Sequence, residues 1–189
     1  ALGFKSDEQI LRTFYTIEKL KIKDSKLLWT VSPGLIGLKL SHAITAKNGD
    51  TVVPQGRKIT GAVFREINKN KIEQVEVAGN DLEGAYVAAD VIDMSTGEVL
   101  LESNHELTSS GISKMIEVGI EEFEVFFPER DEVGNVISVT LKKDSVKTQS
   151  DALLEIYRKL RPGDPPTLDT ATQLFHGMFF DPRKYDFSR

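Results

Sequence analysis

The chain has 189 residues, 40% hydrophobic and 28% charged, which is globular material for one or two domains with a sizeable core. With no cysteine, disulfides, thiolate zinc sites and cysteine nucleophiles are excluded, and no apolar run approaches a membrane span. The formal charge of −5 hides an asymmetry: residues 1–71 carry 13 basic and 6 acidic side chains, 72–132 carry 2 and 16, and 133–189 carry 9 and 7. The middle should repel nucleic acid, so any phosphate contact is expected from the ends, with the acidic stretch facing solvent or a basic protein. No signal peptide is visible, and the chain reads as soluble and cytoplasmic. Beginning at Ala1 rather than Met and stopping at Arg189, it also reads as a piece of something longer.

In chain order, Ser6-Asp7-Glu8-Gln9 has capping-box spacing, and Ile10, Leu11, Phe14 and Tyr15 give the following short helix one apolar face. Lys19 to Lys23 alternates as a strand, Asp24-Ser25 turns, Leu27 to Val31 pairs back, and Pro33-Gly34 closes this hairpin.

The middle contains an internal repeat with an offset of 48 residues, spanning roughly 43–77 and 91–125. Ala43-Ile44 matches Val91-Ile92, Gly49-Asp50 matches Gly97-Glu98, Val52-Val53 matches Leu100-Leu101, and Ile59-Thr60 matches Leu107-Thr108. Ile72-Glu73 then pairs with Ile120-Glu121, and Val75-Glu76-Val77 with Phe123-Glu124-Val125. Each copy reads strand, Gly turn, strand, Thr-capped short helix, strand. One such unit is marginal alone, so the two copies are expected to share a core. After them, Val133-Gly134-Asn135 is expected to turn, Val136 to Leu141 alternates as a strand, and 142–149 forms a polar connection.

From Ser150 the pattern is that of two helices joined by a rigid corner. Ser150 is the expected cap, with Leu153, Leu154, Tyr157 and Leu160 at helical spacing until Pro162-Gly163. Pro165-Pro166 stiffens the corner, and Thr167 caps a second helix whose stripe is Ala171, Leu174, Phe175, Met178 and Phe179, stopped by Pro182. Arg158, Lys159 and Arg161 sit in the last turn of the first helix, where cations favour the helix dipole; Arg183 and Lys184 extend the basic rim. These five are the candidates for holding phosphates without reading bases.

Little points to self-contained catalysis. His42, His105 and His176 have no ligand spacing, and neither the phosphate-binding loop nor the dinucleotide-binding glycine pattern occurs. Glu122 and Glu124 share one strand face with Glu121 opposite, which suits solvent-facing carboxylates and, with the acidic surroundings, makes them candidates for docking a basic partner. Ser109-Ser110-Gly111 reads as helix-initiating chemistry rather than a nucleophile.

The wording EIYRKLRPGDPPT followed by LFHGMFFDPRKYD closely resembles the lobe of the bacterial DNA-directed RNA polymerase beta subunit, and GFKSDEQILRTFY resembles lobe sequence on the other side of an insertion. The middle resembles a lineage-specific insertion of some beta subunits. The fold expected is α+β: a discontinuous helical lobe portion from 1–17 and 148–189, with a β-rich module inserted at 18–147 and boundaries near Ile17 and Lys147. On this resemblance the N-terminal helix should pack against the C-terminal helices. The resemblance implies a non-catalytic segment of a nucleotidyltransferase, flanking downstream DNA during transcription. It implies the alpha, beta-prime, omega and sigma subunits as partners, with secondary-channel regulators docking on the insertion. Magnesium belongs to the active centre of the whole enzyme, with no cofactor in this segment and no activity expected from it alone. The alternative is an interaction module that binds a basic transcription regulator without touching DNA.

Overall fold

The computed structural model describes residues 1–146 and 148–183. The first helix, α1 (Asp7–Phe14), starts where the Ser6 hydroxyl accepts from the Gln9 N–H, and the Gln9 side chain reaches back to the Lys5 N–H at 2.9 Å. It is followed by the hairpin β1 (Glu18–Lys23) and β2 (Lys26–Thr30). The turn residues Asp24 and Ser25 both have positive φ, 49° and 61°, the backbone of a tight hairpin whose twist matches its strands. Alternation places Lys19, Lys21 and Lys23 outward, while Leu20 and Trp29 pair across the hairpin and are fully buried.

The first repeat contains β3 (Ile44–Thr45), β4 (Thr51–Val53), α2 (Gly61–Lys69) and β5 (Gln74–Val77). After β6 (Tyr86–Val87), the second contains β7 (Val91–Ile92), β8 (Val99–Leu101), α3 (Ser109–Val118) and β9 (Glu122–Phe126). Thr60 and Thr108 cap the two helices, each accepting from the N–H three residues on. The duplication extends to single backbone bonds: the isolated bridge Lys39↔Lys58 recurs as Tyr86↔Glu106. The Gly56 N–H to Leu40 carbonyl bond likewise recurs as Asn104 to Val87. Left-handed residues also match, Gly49 with Gly97 and Gly56 with Asn104.

One detail of the expected alignment is corrected. Ile44 pairs with Val53 as Val91 pairs with Leu101, so Ile44 corresponds to Val91 and not to Ile92. The second turn is one residue longer: Ala46 bonds Asp50 across four positions, Asp93 bonds Glu98 across five. The offset is therefore 47 before this turn and 48 after it. Only the inward residue of each short strand, Ile44 or Val91, is buried, which fixes the register.

The copies meet on one antiparallel sheet of order β5-β2-β1-β9-β6. Trp29 faces Val75 on one flank and Leu20 faces Phe123 on the other, so the hairpin lies between equivalent strands. Leu20, Trp29, Leu35 and Ile67 from the first half share one continuous core with Leu82, Met115 and Val125 from the second, as the shared-core expectation required.

Two expectations fail beyond the repeat. Val136–Lys143 is a helix, α4, not a strand. The β-branched run favours a strand locally, but helical spacing turns Val136 and Val139 to solvent while Ile137, Ser138 and Leu141 face α1, and tertiary packing overrides propensity. The N-terminal helix also makes its core contacts away from the C-terminal helices, with only Asp7 and Ile10 lining a cleft beside Gln149 and Ala152. Leu11 and Tyr15 build a second core with Ala88 and Phe126, covered by Ile137 and Leu141 of α4, with Tyr15 and Phe126 stacked at 4.6 Å.

The last helices, α5 (Gln149–Leu160) and α6 (Leu168–Phe179), form a separate hairpin around Leu153, Tyr157, Ala171 and Phe175. Thr148 rather than Ser150 caps α5, accepting from the Asp151 N–H, because the helix begins one residue before Ser150. Thr167 caps α6. The Tyr157 hydroxyl donates to Asp164 at 2.6 Å, fastening the proline corner to α5. Leu160 and Phe179, placed on buried stripes by spacing, are each 49% exposed. Among the described residues no helix is long and apolar enough to cross a membrane.

Candidate functional site

Two surfaces carry the side chains that the sequence singles out, and a third cleft gathers others. The first is the α5–α6 hairpin. Arg158 and Lys159 are exposed on the last turn of α5 and lie 3.8 and 3.7 Å from the same carboxylate, Glu155; Arg161 is the exposed C-cap. Arg183 pairs with Asp181 at 3.2 Å, and Lys184 lies outside the described residues. Exposed pairs of this kind contribute little to stability, which leaves the cations available to another anion at small cost.

The second surface is the acidic end of the sheet. Glu124 is held by Arg12 of α1 and lies 3.8 Å from Lys19, while Glu122 faces Lys21 at 3.8 Å. Arg12 is consequently held above its ordinary pKa, chiefly by its hydrogen bond to Glu124. The three glutamates thus divide: Glu124 anchors the N-terminal helix, while Glu121 and Glu122 stay exposed. Beside them a cleft of about 680 Å³ runs between residues 89–95 and 118–124. Asp93 on its wall sits below the ordinary aspartate pKa because the Ser95 hydroxyl and N–H and the Thr96 hydroxyl donate to it.

The third is a smaller cleft of about 580 Å³ lined by Glu18, Pro33, Gly34, Phe127 and Arg130. Glu18 is 3% exposed and accepts from the Trp29 indole N–H at 2.9 Å and from the Ser32 hydroxyl. Arg130 lies over the Phe127 ring at 3.9 Å, and burial lowers its pKa. The carboxylate answers the polar edge of a core tryptophan, which is structural work.

A buried polar chain escaped sequence reading. The Tyr15 hydroxyl donates to the Gly134 carbonyl at 2.9 Å and accepts from the Ser138 N–H at 3.0 Å. Ser138 in turn exchanges two hydrogen bonds with Asn104. The available signal was Asn104 itself, an amide where the first copy has Gly56. The histidines stay apart: His42 is 3.9 Å from Glu76, His105 contacts the Ser103 carbonyl, and the His176 ring lies tilted against Phe180. Among the described residues no group of three or more His, Cys, Asp or Glu is placed to hold a metal ion. Ser109 and Ser110 open α3 behind the Thr108 cap, as helix-initiating residues.

No family model matches the chain. Curated proteins do, along its whole length. The chain is 70% identical over 189 residues to the DNA-directed RNA polymerase subunit beta of Solibacter usitatus, and 66% identical over 195 to that of Koribacter versatilis. It is 38% identical over 191 residues to the corresponding subunit of Sorangium cellulosum. In each case all of this chain is covered, but it spans only 13%, 13% and 14% of those relatives.

Proposed function

Since the chain corresponds from end to end to one segment of bacterial DNA-directed RNA polymerase beta subunits, we propose that it serves as a non-catalytic lobe segment of that enzyme. In this reading it works beside the alpha, beta-prime, omega and sigma subunits in a cytoplasmic enzyme that copies DNA into RNA. The α5–α6 hairpin flanks downstream DNA with Arg158, Lys159, Arg161, Arg183 and Lys184 as phosphate contacts, and the duplicated β-rich module docks regulators. Magnesium and the nucleotide-addition chemistry belong to other parts of the polymerase, so the segment makes no RNA alone.

The observation that carries the reading is 70% identity across all 189 residues. The division of labour is supported by how the module hangs from the hairpin. The Gln149 side chain donates to the Ala1 carbonyl at 3.1 Å, and Lys5 and Ser6 line one cleft with Val146 and Thr148. The chain therefore leaves and re-enters the hairpin at one place, and we place the module at residues 6–147, with α1 inside it. Charge supports it too, since the sign changes from basic at the ends to acidic in the second copy.

The test is reconstitution. A beta subunit carrying this segment should assemble and synthesise RNA with its partners, whereas labelled nucleotide incorporated by the purified 189-residue chain would overturn the non-catalytic assignment. The second reading, docking of a basic regulator without DNA contact, is favoured by exposed Glu121 and Glu122. It predicts that reversing the hairpin cations leaves DNA retention unchanged.

A further inference from the structure

Because the same backbone is built twice, each copy is a control for the other's exposed side chains. Ile92 of β7 occupies the place of Thr45 of β3, by the strand registers. Met94 opens the second turn where Lys47 opens the first, and Val118 ends α3 where Asn70 follows α2. Met94 is 90% exposed, and Ile92 and Val118 are each 39% exposed. The first copy forms the same hairpin and helix with polar residues at all three positions, so the fold does not require these apolar groups.

The three residues converge on the 680 Å³ cleft, together with Asp90, Glu121 and Glu122. An apolar floor with a carboxylate rim, in a stretch of 16 acidic and 2 basic residues, selects a partner of opposite charge and matching amphipathicity. The strand beneath the cleft, β9, is paired with β1 from Glu122 to Val125 and with β6 at Val125 and Phe126. Exposed apolar side chains ringed by carboxylates suit recognition through side chains, the mode in which an amphipathic helix lies in a groove.

We propose that this cleft docks a cationic amphipathic helix of a partner protein, whose apolar side chains enter between Ile92, Met94 and Val118 while its lysines or arginines meet Glu121, Glu122 and Asp90. The proposal rests on the docking half of the function above and gives it a location and a partner chemistry.

The probe is a fluorescein-labelled peptide of leucine and lysine at helical spacing, titrated with the 189-residue chain and read by anisotropy, against the same composition scrambled. The patterned peptide should bind about tenfold tighter than the scrambled one, and Met94→Lys with Val118→Asn, which installs first-copy residues, should remove that advantage. Equal binding of both peptides would reduce the cleft to unspecific charge attraction, and an unaltered advantage in the double variant would put the contact elsewhere; either result overturns the proposal. Thermal unfolding of the variant confirms that the fold is intact. Polymerase assembly with the same substitutions should be normal, which separates failure of this site from failure of the polymerase reading.

Discussion

Replacing Gly34 with alanine tests how the core tryptophan is satisfied. Gly34 has no left-handed backbone to preserve, so its penalty is one of space: an added Cβ would lie 2.1 Å from Glu18 Oε1 and 2.7 Å from its carboxyl carbon. Glu18 is 3% exposed and holds the indole N–H of fully buried Trp29, so moving it aside orphans that donor. Overpacking costs about 1–3 kcal/mol and an orphaned buried donor about 1–3, giving about 2–6 kcal/mol for Gly34→Ala. The assay is urea unfolding followed by the fluorescence of the one tryptophan in the chain. Gly37→Ala is the contrast: its φ is +96° with nothing within 4 Å, so it should lose only the backbone term of about 1–2 kcal/mol. In a Glu18→Ala background the clash is gone, and Gly34→Ala should cost almost nothing further. The reasoning is refuted if Gly34→Ala costs as much without the Glu18 carboxylate as with it.

Tyr15→Phe removes a hydroxyl that serves both Gly134 and Ser138, and should cost about 1–3 kcal/mol by urea unfolding, with hydrogen exchange accelerated at the Ser138 amide. The Asp93 carboxyl should titrate below the ordinary aspartate range by carbon NMR, and Ser95→Ala should raise it. Because this pKa is depressed in the folded chain, its stabilisation is present above the ordinary aspartate value and is lost as pH falls through the folded value; acid sensitivity unaltered by Ser95→Ala would contradict this. Reversing Arg158, Lys159 and Arg161 to glutamate in reconstituted polymerase should shorten DNA retention and flatten its salt dependence, and an unaltered salt slope would remove them as phosphate contacts.

Much of the fold was legible because duplication repeats its own signals. Thr60 and Thr108, then Gly49 and Gly97, mark the same caps and turns twice, and Lys19 to Lys23 shows its strand by alternation. The extra residue in the second turn was hidden because Ala43-Ile44 and Val91-Ile92 are equally apolar; only burial of Ile44 and Val91 distinguishes the registers. Val136 to Leu141 misled because local β propensity competes with a helix whose support comes from Tyr15 and Asn104, distant in sequence. At the candidate sites, spacing placed Glu121 and Glu122 on exposed positions but did not reveal that Glu124 is taken by Arg12, an ion pair spanning the length of the module.

The division between a DNA-flanking hairpin and an accessory module is tested most directly by open-complex lifetime and RNA synthesis in polymerase reconstituted with a beta subunit lacking residues 6–147. Lys5 and Thr148 line the same cleft and can be rejoined by a short flexible linker. The account predicts normal assembly, basal synthesis and open-complex lifetime, with regulator binding lost. An enzyme that assembles but whose open complexes collapse would contradict it, because the module itself would then be supporting the DNA channel.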